Sequence, residues 1–223
     1  MTLKDATAGT ARARGRPKAF DRDVAVQAAM QVFWDGGYEG SSFDDLATAM
    51  RINPSSFRNT FKTKEALYRE ATEMYVAQGA AWLAGVLSGE KDVRAAFSRL
   101  FTEAAARYTS ADHPLGCMIS VAGTHFPQGL SALSEMLTTY RFGAEKAMVE
   151  RLKQGQHDKQ LPPDANIHAI AAFFHALFRG MAVQARDGVS RDRLLEIVAV
   201  AMSAFPSAPM ASESTGPRGT RRR

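Results

Sequence analysis

Apolar residues along this chain recur at intervals of three and four, the spacing that lays one stripe along an α-helix, and no stretch shows the two-residue alternation of a strand. From Asp21, residues Val24, Ala28, Ala29, Val32 and Phe33 keep this spacing up to Gly36-Gly37. The pattern predicts a first helix capped by Asp21 and ended by glycines that let the chain turn back. A second helix is predicted from Ser42 through Phe43, Leu46, Ala47 and Met50, with Ser42 and Asp45 forming a shortened capping box. After the turn Arg51-Ile52-Asn53, Asn53 is a good N-cap and Pro54 is preorganised for the first position of a short third helix ending near Phe61. Thr63 caps a fourth helix that carries Leu67, Tyr68, Ala71, Tyr75 and Trp82 up to Ser88-Gly89. Further helices are predicted over 93–108, 116–126, 130–154, 166–186 and 191–205, with breaks at His113-Pro114, Pro127-Gln128-Gly129, Pro162-Pro163 and Asp187-Gly188. The fold class is all-α.

Two helices joined by three residues, the second led by small polar side chains, have the sequence form of a helix-turn-helix that reads DNA. A helix entering a major groove about 12 Å wide needs hydroxyls and hydrogen-bond donors on its leading face. Here that face offers Asn53, Ser55, Ser56, Phe57, Arg58 and Asn59. Arg58 suits guanine, Asn59 suits adenine, and Phe57 suits a thymine methyl or a sugar. Ser41, Ser42, Lys62 and Lys64 suit phosphate, which fixes orientation without reading sequence; helix capping is the plain structural role for the two serines.

Charge strengthens this reading. The 223 residues carry a formal net charge of +5, and much of the excess lies at the ends. Lys4, Arg12, Arg14, Arg16 and Lys18 precede the first helix, and Arg218, Arg221, Arg222 and Arg223 close a tail rich in Ser, Pro and Gly. Both ends read as disordered and cationic. The N-terminal arm, through Arg16 and Lys18, is placed to touch phosphate and release counterions. Cys117 is the single cysteine, so neither an internal disulfide nor a cysteine-based zinc site is expected, and it reads either as a buried small apolar residue or as a sensor thiol. The five histidines show no metal-protease spacing and no phosphate-binding glycine loop occurs, so neither an enzyme nor a cofactor or metal is expected. No apolar run has the form of a signal peptide or a membrane span, which points to the cytoplasm and to no membrane partner.

The runs Gly15-Arg16-Pro17-Lys18-Ala19-Phe20-Asp21, Ala29 to Tyr38, Ser41-Ser42-Phe43-Asp44-Asp45-Leu46-Ala47 and Ser55 to Leu67 together resemble the N-terminal domain of the tetracycline-repressor family. The resemblance is ordered and continuous from about Gly15 to Tyr75. It departs where the family usually has Gly, here Arg51, and where a Tyr usually stands, here Phe57. It implies a homodimer on double-stranded operator DNA, released by a small apolar or amphipathic effector. The domain organisation it implies is a basic arm over 1–16, a helix-turn-helix domain over 17–68, a helical ligand-binding and dimerisation domain over 69–206, and a basic tail over 207–223.

In that second domain, aromatic and sulfur-bearing residues make a candidate effector pocket: Phe97, Phe101, Tyr108, Cys117, Met118, Val121, His125, Phe126, Tyr140, Phe173, His175 and Phe178. The stripes Ile167, Ile170, Phe174, Leu177 and Met181, then Leu194, Leu195, Val198 and Met202, are candidates for a dimer interface built from the last two helices, although the same stripes also suit the monomer's own core. A charge-driven architectural DNA protein and a helical interaction module are the competing classes. The first lacks sequence preference and the second leaves the Ser55 to Lys64 run without a purpose.

Overall fold

The computed structural model describes residues 21–122 and 130–206. Among them are nine helices and no strand: α1 (Arg22–Gly40), α2 (Phe43–Ala49), α3 (Pro54–Phe61), α4 (Lys64–Ser88), α5 (Val93–Tyr108), α6 (Met118–Val121), α7 (Ser131–His157), α8 (Ile167–Arg186) and α9 (Arg191–Ser203). Arg16, Lys18, His125, Phe126 and the two charged ends lie outside the described residues.

Local chemistry explains most boundaries. The side chains of Asp21, Ser42, Asn53, Thr63, Asp92, Asn166 and Ser190 each accept a backbone N–H of the helix they open. Each such cap contributes about 1 kcal/mol by satisfying a donor that the helix cannot satisfy itself. The predicted break at Gly36-Gly37 is a kink within α1, where Gly37 adopts φ 69°, a conformation open to glycine and costly for other residues. The helix predicted over 116–126 is the one large departure. Gly116 sits at φ +81° and Ala122 is extended at ψ 139°, so among the described residues of that span Met118–Val121 alone coils. Val24, placed on the inner stripe by spacing, is 64% exposed; Ala25, Val26, Ala29, Met30, Phe33 and Trp34 face inward instead.

Two apolar cores result. One joins α1, α2, α3 and the first half of α4 to Met118, Ile119, Leu133 and Leu137 of α6 and α7. The other joins the second half of α4 to α5, α7, α8 and α9. Helix α4 serves both, with Leu67, Tyr68 and Ala71 in the first and Leu83, Val86 and Leu87 in the second. Cys117 packs against both cores.

Candidate nucleic-acid interface and internal cavity

The short helix α3 is held from three sides. At its entry, the Asn53 side-chain oxygen accepts the Ser56 N–H at 2.7 Å and the Ser55 hydroxyl at 2.7 Å. From α2, the Phe43 ring meets Phe57 edge-on at 5.3 Å, and Phe57 is followed at 5.8 Å by Phe61. At its exit, Arg22 lies 4.6 Å above the Phe61 ring while donating to both carboxylate oxygens of Glu70 at 2.8 and 2.7 Å. With Phe57 and Phe61 turned inward, Ser55, Ser56, Arg58, Asn59 and Lys62 form an exposed polar face. Neither Arg58 nor Lys62 enters an ion pair among the described residues.

Two predicted contact residues are corrected by this packing. Phe57 is only 1% exposed and serves as the floor of α3, so it is closed to a thymine methyl or sugar. Ser41 is equally buried, and its hydroxyl donates to the Gly37 carbonyl at 2.6 Å, which ties down the kink in α1 and leaves nothing for phosphate. Ser42 is exposed but engaged: its hydroxyl accepts the Asp45 N–H at 3.1 Å and donates to the Asp45 carboxylate at 2.6 Å. The Ser42 hydroxyl first, and then the Ser42 backbone N–H that donates to the same carboxylate at 3.0 Å, hold the Asp45 carboxyl below its ordinary value. Lys64 places its ammonium 4.6 Å above the Tyr38 ring. In the turn, Arg51 adopts φ 54°, the left-handed conformation for which glycine is the usual residue, at a cost of about 1–2 kcal/mol. Its exposed guanidinium adds a cation beside α3.

A cavity of about 380 Å³ opens among α4, α5, the 117–120 segment, α7 and α8. Of the predicted pocket residues, it is lined by Tyr108, Cys117, Tyr140, His175 and Phe178. The other described ones stand elsewhere. Phe97 and Phe101 are fully buried and pack on Phe174 in the core. Met118 and Val121 line a second cleft, about 340 Å³, against Gly36–Gly40 of α1. Phe173 is half-exposed on the outer face of α8. Spacing and apolarity also missed important walls of the cavity: Tyr75, Trp82, Arg107, Arg141 and Arg179.

The polar groups of the cavity are unevenly matched. His175 Nδ1 lies 3.0 Å from the Glu145 carboxylate. Burial first, and then the neighbouring Cys117, push the Tyr75 and Tyr108 hydroxyls well above their ordinary value, so both are neutral donors at physiological pH. Among the described residues, the Tyr108 hydroxyl, Arg141 Nη1 and Arg179 Nε are buried without a hydrogen-bond partner. Burial, and then the proximity of Arg179, lower the Arg141 pKa. No group of three His, Cys, Asp or Glu side chains suited to a metal ion occurs among the described residues.

The outer surfaces of α8 and α9 differ from the predicted dimer stripes. Ile167, Phe174, Met181, Leu194, Val198 and Met202 are buried in the chain's own core, and Ile170, Leu177 and Leu195 are half-buried against it. The most apolar stripe of each helix is the one its own chain consumes. The opposite stripe is left open on α8 through Phe173, Ala176, Gly180 and Val183, with Phe173 at 50% and Val183 at 43% exposure. On α9, Val200 is 72% exposed.

The two halves are joined by specific contacts. Arg186, at the end of α8, donates to the Asp35 side chain at 3.1 Å and to its backbone carbonyl, two residues before the kink at Gly37. The rings of Trp34 and His113 stack at 4.4 Å. The short α6 packs on α1, α4, α7 and α8 together.

Residues 25–71 match the family of bacterial regulatory proteins described as the tetR family. The chain is 31% identical over 203 residues to the HTH-type transcriptional repressor ComR of Escherichia coli (strain K12), covering 91% of this chain and 97% of that one. It is 26% identical over 195 residues to the HTH-type transcriptional repressor BdcR of the same strain, covering 87% and 93% of the two chains. A solved structure of a cysteine mutant of the TetR family transcriptional regulator CifR, complexed with 26-base-pair double-strand operator DNA, is similar at a TM-score of 0.82 and 38% identity, covering 86% of this chain and all of that one.

Proposed function

The chain belongs to the tetR family of bacterial regulatory proteins and is a DNA-binding transcriptional regulator, and we propose that it is a repressor whose homodimer holds a pseudo-palindromic operator until a small effector fills the cavity. The observation that carries this reading is the two-sided construction of α3: Phe57 and Phe61 fix it to the core while Ser55, Ser56, Arg58, Asn59 and Lys62 lie on one exposed face. In this account Arg58 and Asn59 read base edges, and Lys62, Lys64, Arg51 and the N-terminal arm with Arg16 and Lys18 hold phosphate. The cytoplasm is where such a protein meets its operator.

Dimerisation is assigned to the open stripe of α8 with Val200 of α9. The small side chains Ala176 and Gly180 permit close approach of a second copy, and Phe173 and Val183 supply apolar area to bury. Two recognition helices then sit in successive major grooves about 34 Å apart. Coupling runs through α6. Its flanking residue Cys117, with Ile119 and Ser120, lines the cavity, while Met118 and Ile119 belong to the core that supports α1 and α3. An effector that displaces this segment biases the angle between the halves, with a coupling of about 1–3 kcal/mol.

Arg58→Ala tests the reading directly. Fluorescence anisotropy against an operator and its single-base variants is expected to show a loss of about 1–3 kcal/mol concentrated at one base position. Equal weakening on every sequence would make Arg58 a phosphate contact and withdraw the base-reading role.

A further inference from the structure

We propose that the cavity recognises an amphipathic anion, a small molecule with one carboxylate and an apolar body. The inference deepens the effector reading above and rests on it only for the link to DNA release. Three guanidinium groups, from Arg107, Arg141 and Arg179, line a cavity whose other walls include Trp82, Leu83 and Phe178. Two of these arginines each also hold a buried nitrogen with no hydrogen-bond partner among the described residues, Arg141 Nη1 and Arg179 Nε. The buried Tyr108 hydroxyl is a third donor in the same state.

Such groups are costly to leave unpaired, and three guanidinium side chains lining one cavity are best relieved by an acceptor that carries negative charge. Arg141 and Arg179 also repel each other, and no side-chain carboxylate lies within ion-pair distance of either among the described residues. The nearby Glu145 carboxylate is already held by His175. The same arginines have their own internal attachments that fix rather than neutralise them. Arg141 donates to the Thr138 hydroxyl at 3.0 Å, and Arg107 lies 4.7 Å over the Trp82 ring.

A carboxylate is acceptor-only and has four lone-pair positions, which matches a cluster of guanidinium groups better than an alcohol, an amide or an amine. Its attached hydrocarbon or aromatic body would lie against Trp82, Leu83 and Phe178, and the volume falls in the range of about 300–1,000 Å³ typical of sites for small organic molecules.

The test uses the full-length protein and two carboxylate probes of different shape, decanoate and 1-naphthaleneacetate, each beside its neutral primary amide, with binding followed by calorimetry. At least one carboxylate is expected to bind about tenfold or more tightly than its amide, because a charge-assisted hydrogen bond is exchanged for a neutral one. Arg141→Gln and Arg179→Gln, each checked for an unchanged helical circular-dichroism spectrum, are expected to erase that preference while leaving the amide's affinity in place. Amides that bind as tightly as the acids, arginine variants that retain the preference, or no binding of either acid at millimolar concentration would overturn the proposal. Operator anisotropy separates it from the reading on which it rests. A carboxylate that binds through the arginines yet leaves operator affinity unchanged upholds the anion site and removes the release mechanism. Release by the amides with no preference for the acids does the reverse.

Discussion

The exposed face of α3 and the cavity among α4, α5, α7 and α8 both present arginine and hydroxyl groups, but under opposite solvent conditions. On α3, Arg58, Asn59 and Lys62 stand in water, so waiting for a partner costs them little. In the proposed reading, binding there replaces water and counterions with phosphate and base edges, and the requirement on the protein is rigidity, supplied from behind by Phe57, Phe61 and the Arg22–Glu70 pair. Around the cavity, Arg141, Arg179 and Tyr108 hold buried polar atoms that nothing in the described chain satisfies. Binding there relieves an existing penalty, and the requirement is incompleteness. In the proposed reading, a surface that holds DNA in the resting state is finished in advance, whereas a site that responds to a ligand is left unfinished.

The largest expected effect breaks the finished side. Phe57→Ala should remove about 3–5 kcal/mol of stability by emptying the space between Phe43 and Phe61, read as a lower midpoint in urea unfolding together with lost operator binding. If stability stays unchanged while DNA binding falls, Phe57 is a surface contact after all.

Next in size, Phe173→Glu places a charge on the open stripe of α8 and should weaken self-association by about 2 kcal/mol or more, measured by sedimentation equilibrium. An unaltered dimer would move the interface off this stripe.

Gly116→Ala addresses the joint between the two regions. Its backbone lies at φ +81°, and a Cβ there would fall 2.4 Å from the Ala182 carbonyl oxygen of α8. The substitution should cost more than about 1 kcal/mol and, by shifting the segment that leads into α6, reduce effector response more than operator affinity. Thermal melting and anisotropy with and without ligand read the two effects separately.

The smallest is Ser42→Ala, which removes the α2 cap at about 1 kcal/mol. It also alters acid sensitivity. Because the folded state holds the Asp45 carboxyl below its unfolded value of 3.8, the box stabilises the fold above that pH and loses its contribution as pH falls through the lower, folded value. Without the Ser42 hydroxyl this part of the acid limb should flatten in melts between about pH 5 and 2, the backbone N–H of residue 42 keeping the remainder; an unchanged limb would contradict the capping role.

The same contrast governs what the sequence disclosed. The starts of α1 to α4 were legible because Asp21, Ser42, Asn53 and Thr63 act on donors two or three residues away. Phe57 carried a readable signal that the functional reading overrode: it lies four residues before Phe61, the spacing of an inward stripe. The cavity was only half legible, since its aromatic walls look like any core and its arginines, on α5, α7 and α8, are brought together by contacts across long sequence separations. A search for apolar side chains passes over Arg107, Arg141 and Arg179 by construction. The open stripe of α8 was missed for the converse reason: Ala176 and Gly180 are inconspicuous beside Phe174 and Met181, and only packing shows which stripe the chain uses for itself.

The central claim, a sequence-specific regulator that binds as a dimer, is tested most directly by selecting bound fragments from random duplex DNA with the full-length protein at two salt concentrations. The account expects enrichment of one pseudo-palindrome whose half-sites repeat at about one helical turn and which persists at the higher salt. Binding without enrichment that collapses as salt rises would contradict it and leave a protein that holds DNA by charge alone.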